Sequence, residues 1–208
     1  MSFLSVVGPR ILNLGFFTAP VLLKIEDPAV LSQNAAFILL FITFASSLFS
    51  ATPWISLIPG IACWAYWNMI NDSAHVDAYR YTDWALTTPL MLAAILSTNN
   101  VGAATLLGVV ALDLIMIATG YLGATATDEA TKLGMFGLGC LALGPILYTL
   151  YSLKKAKYAI YLTILLWSLY PVVWYLDEES HINKSTTTIA YSYMDVIAKS
   201  GLVYFLQI

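Results

Sequence analysis

The sequence predicts an all-α membrane protein, a bundle of seven transmembrane helices, from its composition and from the spacing of its apolar runs. Of the 208 residues, 60% are hydrophobic and only 10% are charged, whereas a soluble domain carries about a quarter charged residues. A membrane-spanning helix needs about 20 mostly apolar residues in succession. Seven such runs cover residues 29–50, 53–71, 79–97, 103–122, 130–153, 157–176 and 186–207.

The joins between these runs contain residues that begin or end helices. Asp27 stands directly before Pro28, as an N-cap residue stands before a proline in the first helical turn. The apolar stretch over residues 35–70 is too long for one span, and Pro53 divides it into two helices. Because no alternating strand pattern and no repeat is evident, the sequence predicts one transmembrane domain over residues 29–208.

Residues 1–28 come before the first span and are predicted as a short interfacial segment. Apolar residues such as Phe3, Val7 and Ile11 form one face of a helix, whereas Arg10 argues against a clean span. A helix lying on the membrane surface is therefore favoured over an eighth span. A cleaved signal peptide is disfavoured because no basic segment precedes the apolar residues.

The charges of the joins predict the orientation of an integral protein of the cell membrane. The basic join LKKAK, residues 153–157, has no acid nearby, and the positive-inside rule places it in the cytoplasm. Seven spans then place the N-terminus outside and the C-terminus in the cytoplasm. Most acidic residues fall in the opposite, outer joins, and nothing in the sequence indicates binding to nucleic acid.

The cysteines and histidines form no pattern typical of a metal site. Cys63 and Cys140 lie in apolar runs, so both are predicted to be small buried thiols. His75 and His181 fall in predicted outer joins, without another His or Cys at metal-ligand spacing, and are predicted to be solvated.

Five ionisable side chains remain inside the predicted spans: Arg80, Asp83, Asp113, Asp195 and Lys199. Such groups are rare in membrane helices and are usually functional and paired. Asp195 and Lys199, four residues apart, share one face of the last helix. Two interpretations follow. The charges form a structural ion-pair network, or the buried lysine forms a Schiff base with a carbonyl cofactor and the carboxylates are its counterions.

Five of the seven runs also carry motifs that occur together in one known family. In chain order, the motifs are IPGIACWAY (58–66), RYTDWALTTPL (80–90), ALDLIMIATG (111–120), LLWSLYPVVW (165–174) and MDVIAKSG (194–201). They resemble the second, third, fourth, sixth and seventh helices of the microbial rhodopsins, and the pattern is bacteriorhodopsin-like. Each motif alone would be weak evidence, whereas five in the same order make the resemblance specific.

The resemblance implies that the buried charges hold retinal and move a proton. Lys199 would bind all-trans retinal as a protonated Schiff base, with Asp83 as the primary counterion and proton acceptor. Asp195 would be the second counterion, and Tyr66 and Tyr170 would hydrogen-bond to it.

The same resemblance implies further roles around retinal. Thr87 would hydrogen-bond to Asp83, and Arg80 would lie just outside the counterions. Asp113 would be protonated and structural, near the ring end of retinal. The side chains that would line retinal are Trp84, Thr88, Met116, Gly120, Trp167, Tyr170 and Trp174. Flat aromatic side chains suit packing against a polyene, and ordinary helix packing is the alternative explanation for them.

Several positions depart from the pattern of outward proton pumps. The cytoplasmic proton donor of such pumps would lie seven residues after Thr87, where this sequence has Ala94, and no other carboxylate is evident in that half. Glu179 matches one acid of the proton-release pair, whereas the hydroxyls of Thr187 and Thr188 stand near the position of the other.

Gly139 and Pro145 in the fifth run leave further alternatives open. Gly139 stands where bacteriorhodopsin-like proteins have a pocket tryptophan, and in some relatives a glycine there opens a lateral window to a carotenoid antenna. A plain packing glycine is at least as compatible with the sequence. Pro145 is compatible with a kink near the ring of retinal.

We therefore expect a light-driven outward proton pump without a carboxylate donor, and not an enzyme. A sensory photoreceptor is the alternative because a missing donor also fits slow sensory rhodopsins, although Ala198 replaces the hydroxyl that some of them have beside the lysine. A light-gated channel is less favoured because the second run contains no glutamate. Asp83 disfavours a chloride pump, and its triad with Thr87 and Ala94 disfavours a sodium pump. The expected partners are the lipid bilayer and further copies of this chain, in a trimer or pentamer.

Overall fold

The structure, a computed structural model, describes residues 27–207, which form seven α-helices and two short 3₁₀ helices. The α-helices are α1 Pro28–Ser47, α2 Leu57–Asn71, α3 Val76–Thr98, α4 Ala103–Ala124, α5 Glu129–Ser152, α6 Lys157–Glu178 and α7 Lys184–Gln207. No strand occurs within residues 27–207. The prediction of an all-α bundle of seven helices is therefore confirmed. The predicted interfacial segment falls, except for its last two residues, outside the described part of the chain and stays a prediction.

The local sequence explains where several helices begin. Asp27 accepts a hydrogen bond of 2.9 Å from the main-chain nitrogen of Ala29, and Pro28 is the first helical residue of α1. Asp128 caps α5 by accepting a hydrogen bond of 2.8 Å from the nitrogen of Thr131. That hydrogen bond holds the pKa of the exposed Asp128 carboxyl below its usual range, because it favours the charged form.

The second predicted span differs in form from the prediction. Its first residues, Pro53–Ser56, form a 3₁₀ helix, and the α-helix proper is the 15-residue Leu57–Asn71. The two pieces follow each other directly, so together they cover the length of the predicted run. Pro53 is the first residue of the 3₁₀ helix. Its lack of an N–H costs nothing there, because an N–H at the start of a helix has no acceptor within the helix.

The helices form a closed ring around an interior that is partly polar. Each helix packs against its neighbours in the chain, and α1 packs against α7. Helix α7 also contacts α2 and α3 across the interior. The functional side chains that the sequence placed on α3 and α7 are thereby brought face to face.

The distribution of side chains is that of a membrane protein. The five ionisable residues predicted inside the spans are all buried, whereas large apolar side chains point outward, with Leu107 68% exposed and Leu141 74% exposed. Four helices, α1, α4, α5 and α6, are by length and composition apolar enough to cross a bilayer. Helices α3 and α7 carry four of the five buried ionisable residues, and α4 carries Asp113. Such a distribution is expected of an integral membrane protein, because lipid cannot solvate a charged group.

One prediction about the thiols is wrong. Cys63 is buried between α1 and α2, as expected, but Cys140 is exposed. Helix α5 packs mainly on α4 and only weakly on α6, so much of its surface faces outward. An apolar run cannot indicate which face of a membrane helix is buried, because its lipid-facing and buried side chains are both apolar. Pro145 lies inside α5, which continues to Ser152.

An asparagine joins two loops at the end of the bundle where α3 ends and α6 begins. The side-chain Oδ1 of Asn99 accepts hydrogen bonds from the main-chain nitrogens of Lys154 (3.1 Å) and Lys155 (2.8 Å). Its Nδ2 donates to the carbonyl oxygens of Ile95 and Lys155. One side chain thus links the end of α3 to the basic join between α5 and α6.

Candidate functional site

The site is centred on the amine of Lys199, which is 2% exposed and lies in the middle of the bundle. Its Nζ is 2.7 Å from Oδ2 of Asp83 on α3 and 3.0 Å from Oδ1 of Asp195, one turn earlier on α7. Both carboxylates are fully buried. Two anions therefore surround one cation in a low-dielectric interior, where such charges are stable only when they are paired.

The Asp195 carboxylate is held by three further donors, one each from α2, α3 and α6. The hydroxyl of Tyr66 donates to Oδ2 at 2.9 Å, whereas the hydroxyl of Tyr170 (2.6 Å) and Nε1 of Trp84 (3.1 Å) donate to Oδ1. The structure thus brings together the residues that the sequence suggested around Asp195, and it adds Trp84 as a donor. Three neutral donors stabilise the charged form of this carboxylate.

The Asp83 carboxylate has a much poorer set of partners. Its Oδ2 accepts from Lys199, and its Oδ1 has no hydrogen-bond partner within residues 27–207. The hydroxyl of Thr87 lies beside this carboxylate and donates to the main-chain oxygen of Asp83, at 2.8 Å. The two carboxylates beside Lys199 therefore differ, and Asp83 is the one whose negative charge is less well stabilised.

Asp113 on α4 lies apart from this group. It is fully buried, and its Oδ2 accepts a hydrogen bond of 2.8 Å from the hydroxyl of Thr88. Oδ1 of Asp113 has no hydrogen-bond partner among the described residues. Because the described residues place no cation against it, Asp113 links α3 to α4 without joining the charges at Lys199.

Arg80 is buried on α3, one turn before Asp83. Its Nη1 lies 2.6 Å from Oδ1 of Asp77, and its guanidinium carbon lies 4.8 Å from the ring centre of Tyr191. In the sequence, Asp77 falls among the acids of the predicted outer joins. Its position three residues before Arg80 on a helix was the signal that would have identified the pair.

A cavity lies beside Lys199 and is lined mostly by apolar and aromatic side chains. With its mouth included, the space between these side chains is about 780 Å³. Every side chain predicted to line retinal lies on it: Trp84, Thr88, Met116, Gly120, Trp167, Tyr170 and Trp174. Met91, Gly139 and Asp195, which the sequence also places at or near the pocket, line it as well. The prediction omitted Tyr81, Ile117, Met135, Phe136, Cys140, Leu143, Pro171, Tyr191 and Ala198. Tyr81, Ile117 and Pro171 stand three or four residues from a predicted lining residue, so helical spacing would have found them. The residues on α5 have no predicted lining residue at that spacing.

Two glycines allow close approaches at the cavity. A Cβ added to Gly120 would lie 3.1 Å from the ring of Tyr81, so a side chain there would push that ring. A Cβ added to Gly139 would lie 3.1 Å from the hydroxyl of Thr119 on α4. Gly139 therefore both lines the cavity and allows α5 to pack closely on α4.

The remaining predicted positions lie towards the two ends of the bundle. Ala94 is buried, and among the described residues no Asp or Glu lies between Asp113 and the end of the bundle with the basic join. At the opposite end, Glu179 is half-buried and follows α6 directly. Thr187 is buried on α7, where its hydroxyl donates to a main-chain oxygen of the preceding turn, and Thr188 is half-buried.

Lysines at this end pair with the acids next to Glu179. Nζ of Lys184 is 2.7 Å from Asp177, and Nζ of Lys132 is 2.8 Å from Glu178. Glu179 forms no ion pair within residues 27–207. The release role suggested for Glu179 therefore stays a prediction, and its neighbours Asp177 and Glu178 are both paired with lysines.

The chemistry of the site fits a long apolar carbonyl compound such as retinal. Lys199 supplies an amine at the wall of the cavity, and Trp84, Trp167 and Trp174 supply flat rings along it. The unpaired Oδ1 of Asp83 gives the amine end a free acceptor. The residues present thus fit the group that the resemblance implies.

Comparisons with known proteins agree with this chemistry. A family model described as bacteriorhodopsin-like protein matches residues 30–207. Sensory rhodopsin-2 of Haloarcula vallismortis is 30% identical over 167 residues, which cover 69% of this chain and 70% of that protein. The opsin-like protein carO of Fusarium fujikuroi is 35% identical over 135 residues, or 58% of this chain. The matched part is 43% of carO, so this chain spans less than half of that relative.

A solved structure extends the likeness to the whole bundle. The light-driven proton pump Coccomyxa subellipsoidea rhodopsin CsR matches with a TM-score of 0.79 at 25% identity, over 88% of this chain and 97% of that chain. The family model covers nearly all the residues that the structure describes, and the family implies a retinal chromophore. The chain therefore belongs to the bacteriorhodopsin-like family of microbial rhodopsins.

Proposed function

We propose that this protein is a light-driven outward proton pump, in which Lys199 holds all-trans retinal and Asp83 accepts the proton. The observation that carries the proposal is the contact of 2.7 Å between Nζ of Lys199 and Oδ2 of Asp83. A proton at Nζ needs an acceptor within hydrogen-bond reach, and Asp83 meets that condition without moving.

The two carboxylates have different roles in this proposal. Retinal bound at Lys199 as a protonated Schiff base supplies the absorption of light and a change of shape at Nζ. The proton would then pass from Nζ to Asp83, because Nζ donates directly to Oδ2 of that carboxylate. Asp195 is the second counterion, held in place by three neutral side chains that donate to it.

The side chains at the two ends of the bundle favour outward transport of protons with slow reprotonation of Lys199 Nζ. The end where α3, α5 and α7 begin is acidic, and we infer that it is the outer side. On the other side, Ala94 stands where a donor carboxylate would be, so reprotonation of Lys199 Nζ draws on water. Its rate then falls as pH rises, because the concentration of protons falls.

A sensory photoreceptor is the second candidate. It is favoured by the missing donor at Ala94 and by the 30% identity to sensory rhodopsin-2. A light-gated channel is less favoured because α2 contains no glutamate, and the carboxylate of Asp83 stands where a chloride pump would bind its anion.

Two assemblies belong to the same proposal. Copies of the chain form a trimer or pentamer in the bilayer, with the exposed apolar faces of the helices in contact with lipid and with each other. A carotenoid antenna at Gly139 is the other, supported by the position of that glycine on the cavity wall. Its close approach to Thr119 also explains the glycine by packing alone.

The test is the light-induced pH change of cells that express the protein with added retinal. We expect external acidification that a protonophore abolishes, and that Asp83→Asn removes while the pigment remains coloured. The matched control is Glu129→Gln, which removes an exposed carboxylate from the acidic end of the bundle. A coloured protein with no pH change would reject the pump in favour of the sensor or channel, and voltage-clamp currents would separate those two.

A further inference from the structure

The end of the bundle where α3 and α7 begin contains an ion pair that the proposed function does not use. Nη1 of the buried Arg80 lies 2.6 Å from Oδ1 of Asp77, one turn earlier on α3. The Asp77 side chain is 53% exposed, whereas that of Arg80 is 6% exposed. Within residues 27–207, Arg80 pairs with no other carboxylate. A buried cation is thus tied to an anion at the water-exposed rim.

Packed side chains connect Arg80 to the carboxylates beside Lys199. Its guanidinium carbon lies 4.8 Å from the ring centre of Tyr191. The ring of Tyr191 lies 5.2 Å from that of Trp84 and is stacked at 5.7 Å on that of Tyr170. Trp84 and Tyr170 both donate hydrogen bonds to Asp195. A shift of Arg80 would therefore act on the carboxylates at Lys199 by charge and by contact.

The charged and titratable groups that face these residues come from four helices. Around Arg80 they are Asp77, Tyr66, Tyr191 and Asp195. Around Asp83 they are Lys199, Asp195, Tyr66 and Tyr170. Near Asp77 lie Tyr81, Tyr191 and Lys184, and Tyr81 also faces Arg80. Lys184 is itself paired with Asp177 at 2.7 Å, so Arg80 is the cation that depends on Asp77.

Loss of the Asp77 charge would leave Arg80 as a buried cation without a partner. Such a cation is costly, and its strongest remaining attraction is to the negative charge at Asp195 and Asp83. Its field there would strengthen the ionised form of Asp83, because Coulomb interactions are weakly screened inside a bundle.

We propose that Asp77 is a positioning residue, which holds the Arg80 guanidinium at the rim and thereby sets how readily Asp83 takes up a proton. The inference rests on the proposed function for the pairing of Asp83 with a retinal-bearing Lys199. It does not require that the protein pumps, because Asp83 also titrates in the dark.

The experiment is an acid titration of the visible absorption of the retinal-reconstituted protein in the dark. Protonation of Asp83 removes a charge beside the chromophore and changes its colour. We compare the native protein with Asp77→Asn, with the charge-preserving Asp77→Glu, and with Glu129→Gln, which removes an exposed charge from the same end. The same asparagine substitution is also made in an Arg80→Gln background. Asp77→Ser replaces Asp77→Asn if the latter forms no pigment.

We expect the midpoint of the colour change to move to lower pH by about one unit in Asp77→Asn. Asp77→Glu should stay within about 0.3 units of the native midpoint, because it keeps the charge beside Arg80. Glu129→Gln should also stay within about 0.3 units, because the charge that it removes is exposed and screened. In the Arg80→Gln background, the loss of Asp77 should add no further shift. An equal shift in both backgrounds, or equal shifts for Asp77→Asn and Glu129→Gln, would overturn the proposal. A normal titration without light-driven pH change would reject the pump and leave the role of Asp77 intact.

Discussion

Removal of Asp195 should destabilise the bundle more than removal of Asp83, although both carboxylates touch the same lysine. In Asp83→Ala, Lys199 keeps its contact of 3.0 Å with Asp195, and in Asp195→Ala it keeps its contact of 2.7 Å with Asp83. The loss of one ion pair is therefore similar in the two variants. The difference lies in the neutral donors, since three side chains donate to Asp195, whereas Oδ1 of Asp83 accepts from none of the described residues.

The magnitude follows from those three hydrogen bonds. Each buried hydrogen bond contributes about 0.6 kcal/mol in a membrane protein and about 1 kcal/mol in a soluble one. The free energy of unfolding should therefore fall by about 2 to 3 kcal/mol more in Asp195→Ala than in Asp83→Ala. Tyr66→Phe and Tyr170→Phe should each cost about a third of that difference, because each removes one donor.

The assay is unfolding of the retinal-free protein in mixed micelles, with increasing SDS and detection of helix content by circular dichroism. The absence of retinal matters, because binding of a ligand would add its own stabilisation to the native state. Equal losses in the two alanine variants, or a larger loss in Asp83→Ala, would refute the assignment of the better hydrogen-bonded site to Asp195.

Three further predictions concern other parts of the bundle. Ala94→Asp should speed the late recovery of the pigment and reduce its slowing at high pH, since a carboxylate would supply the proton; flash spectroscopy between pH 6 and 9 measures this, and an unchanged pH dependence would contradict uptake from water. Gly120→Val should lower the yield of pigment at fixed retinal, because a Cβ there meets Tyr81 at 3.1 Å; a yield equal to the native one would show that the ring moves freely. Asn99→Ala should speed hydrogen exchange of the Lys155 amide about fivefold, as expected for the loss of about 1 kcal/mol; exchange at the native rate would show that the loop is held by other contacts.

The sequence predicted those parts of the site that depend on helical spacing. Asp195 and Lys199 are four residues apart, and the structure places both on the inner face of α7, 3.0 Å from each other. The contact between Lys199 and Asp83 joins two helices that are far apart in the chain, and spacing alone could not place them together. The family resemblance supplied that pairing.

Two details were not predictable in the same way, because local alternatives compete with the expected contact. The hydroxyl of Thr87 lies beside the Asp83 carboxylate, and it also has a main-chain oxygen one turn earlier on its own helix, to which it donates. In the sequence, Asp77 falls in a predicted outer join. A count of the charges in the joins does not indicate the direction in which each side chain points. The pairing of Asp77 with Arg80 depends on α3 beginning at Val76, before the predicted start at residue 79.

The hydrogen bonds of Asp195 also bear on how the bundle is assembled. Its partners come from α2, α3 and α6, while the residue itself lies on α7. The carboxylate is therefore satisfied only when four helices, made at different times during synthesis, have all docked. Before α7 arrives, Tyr66, Trp84 and Tyr170 have no common acceptor. The charged centre is therefore completed only at a late step of assembly. The pigment can form only in a chain that has completed it.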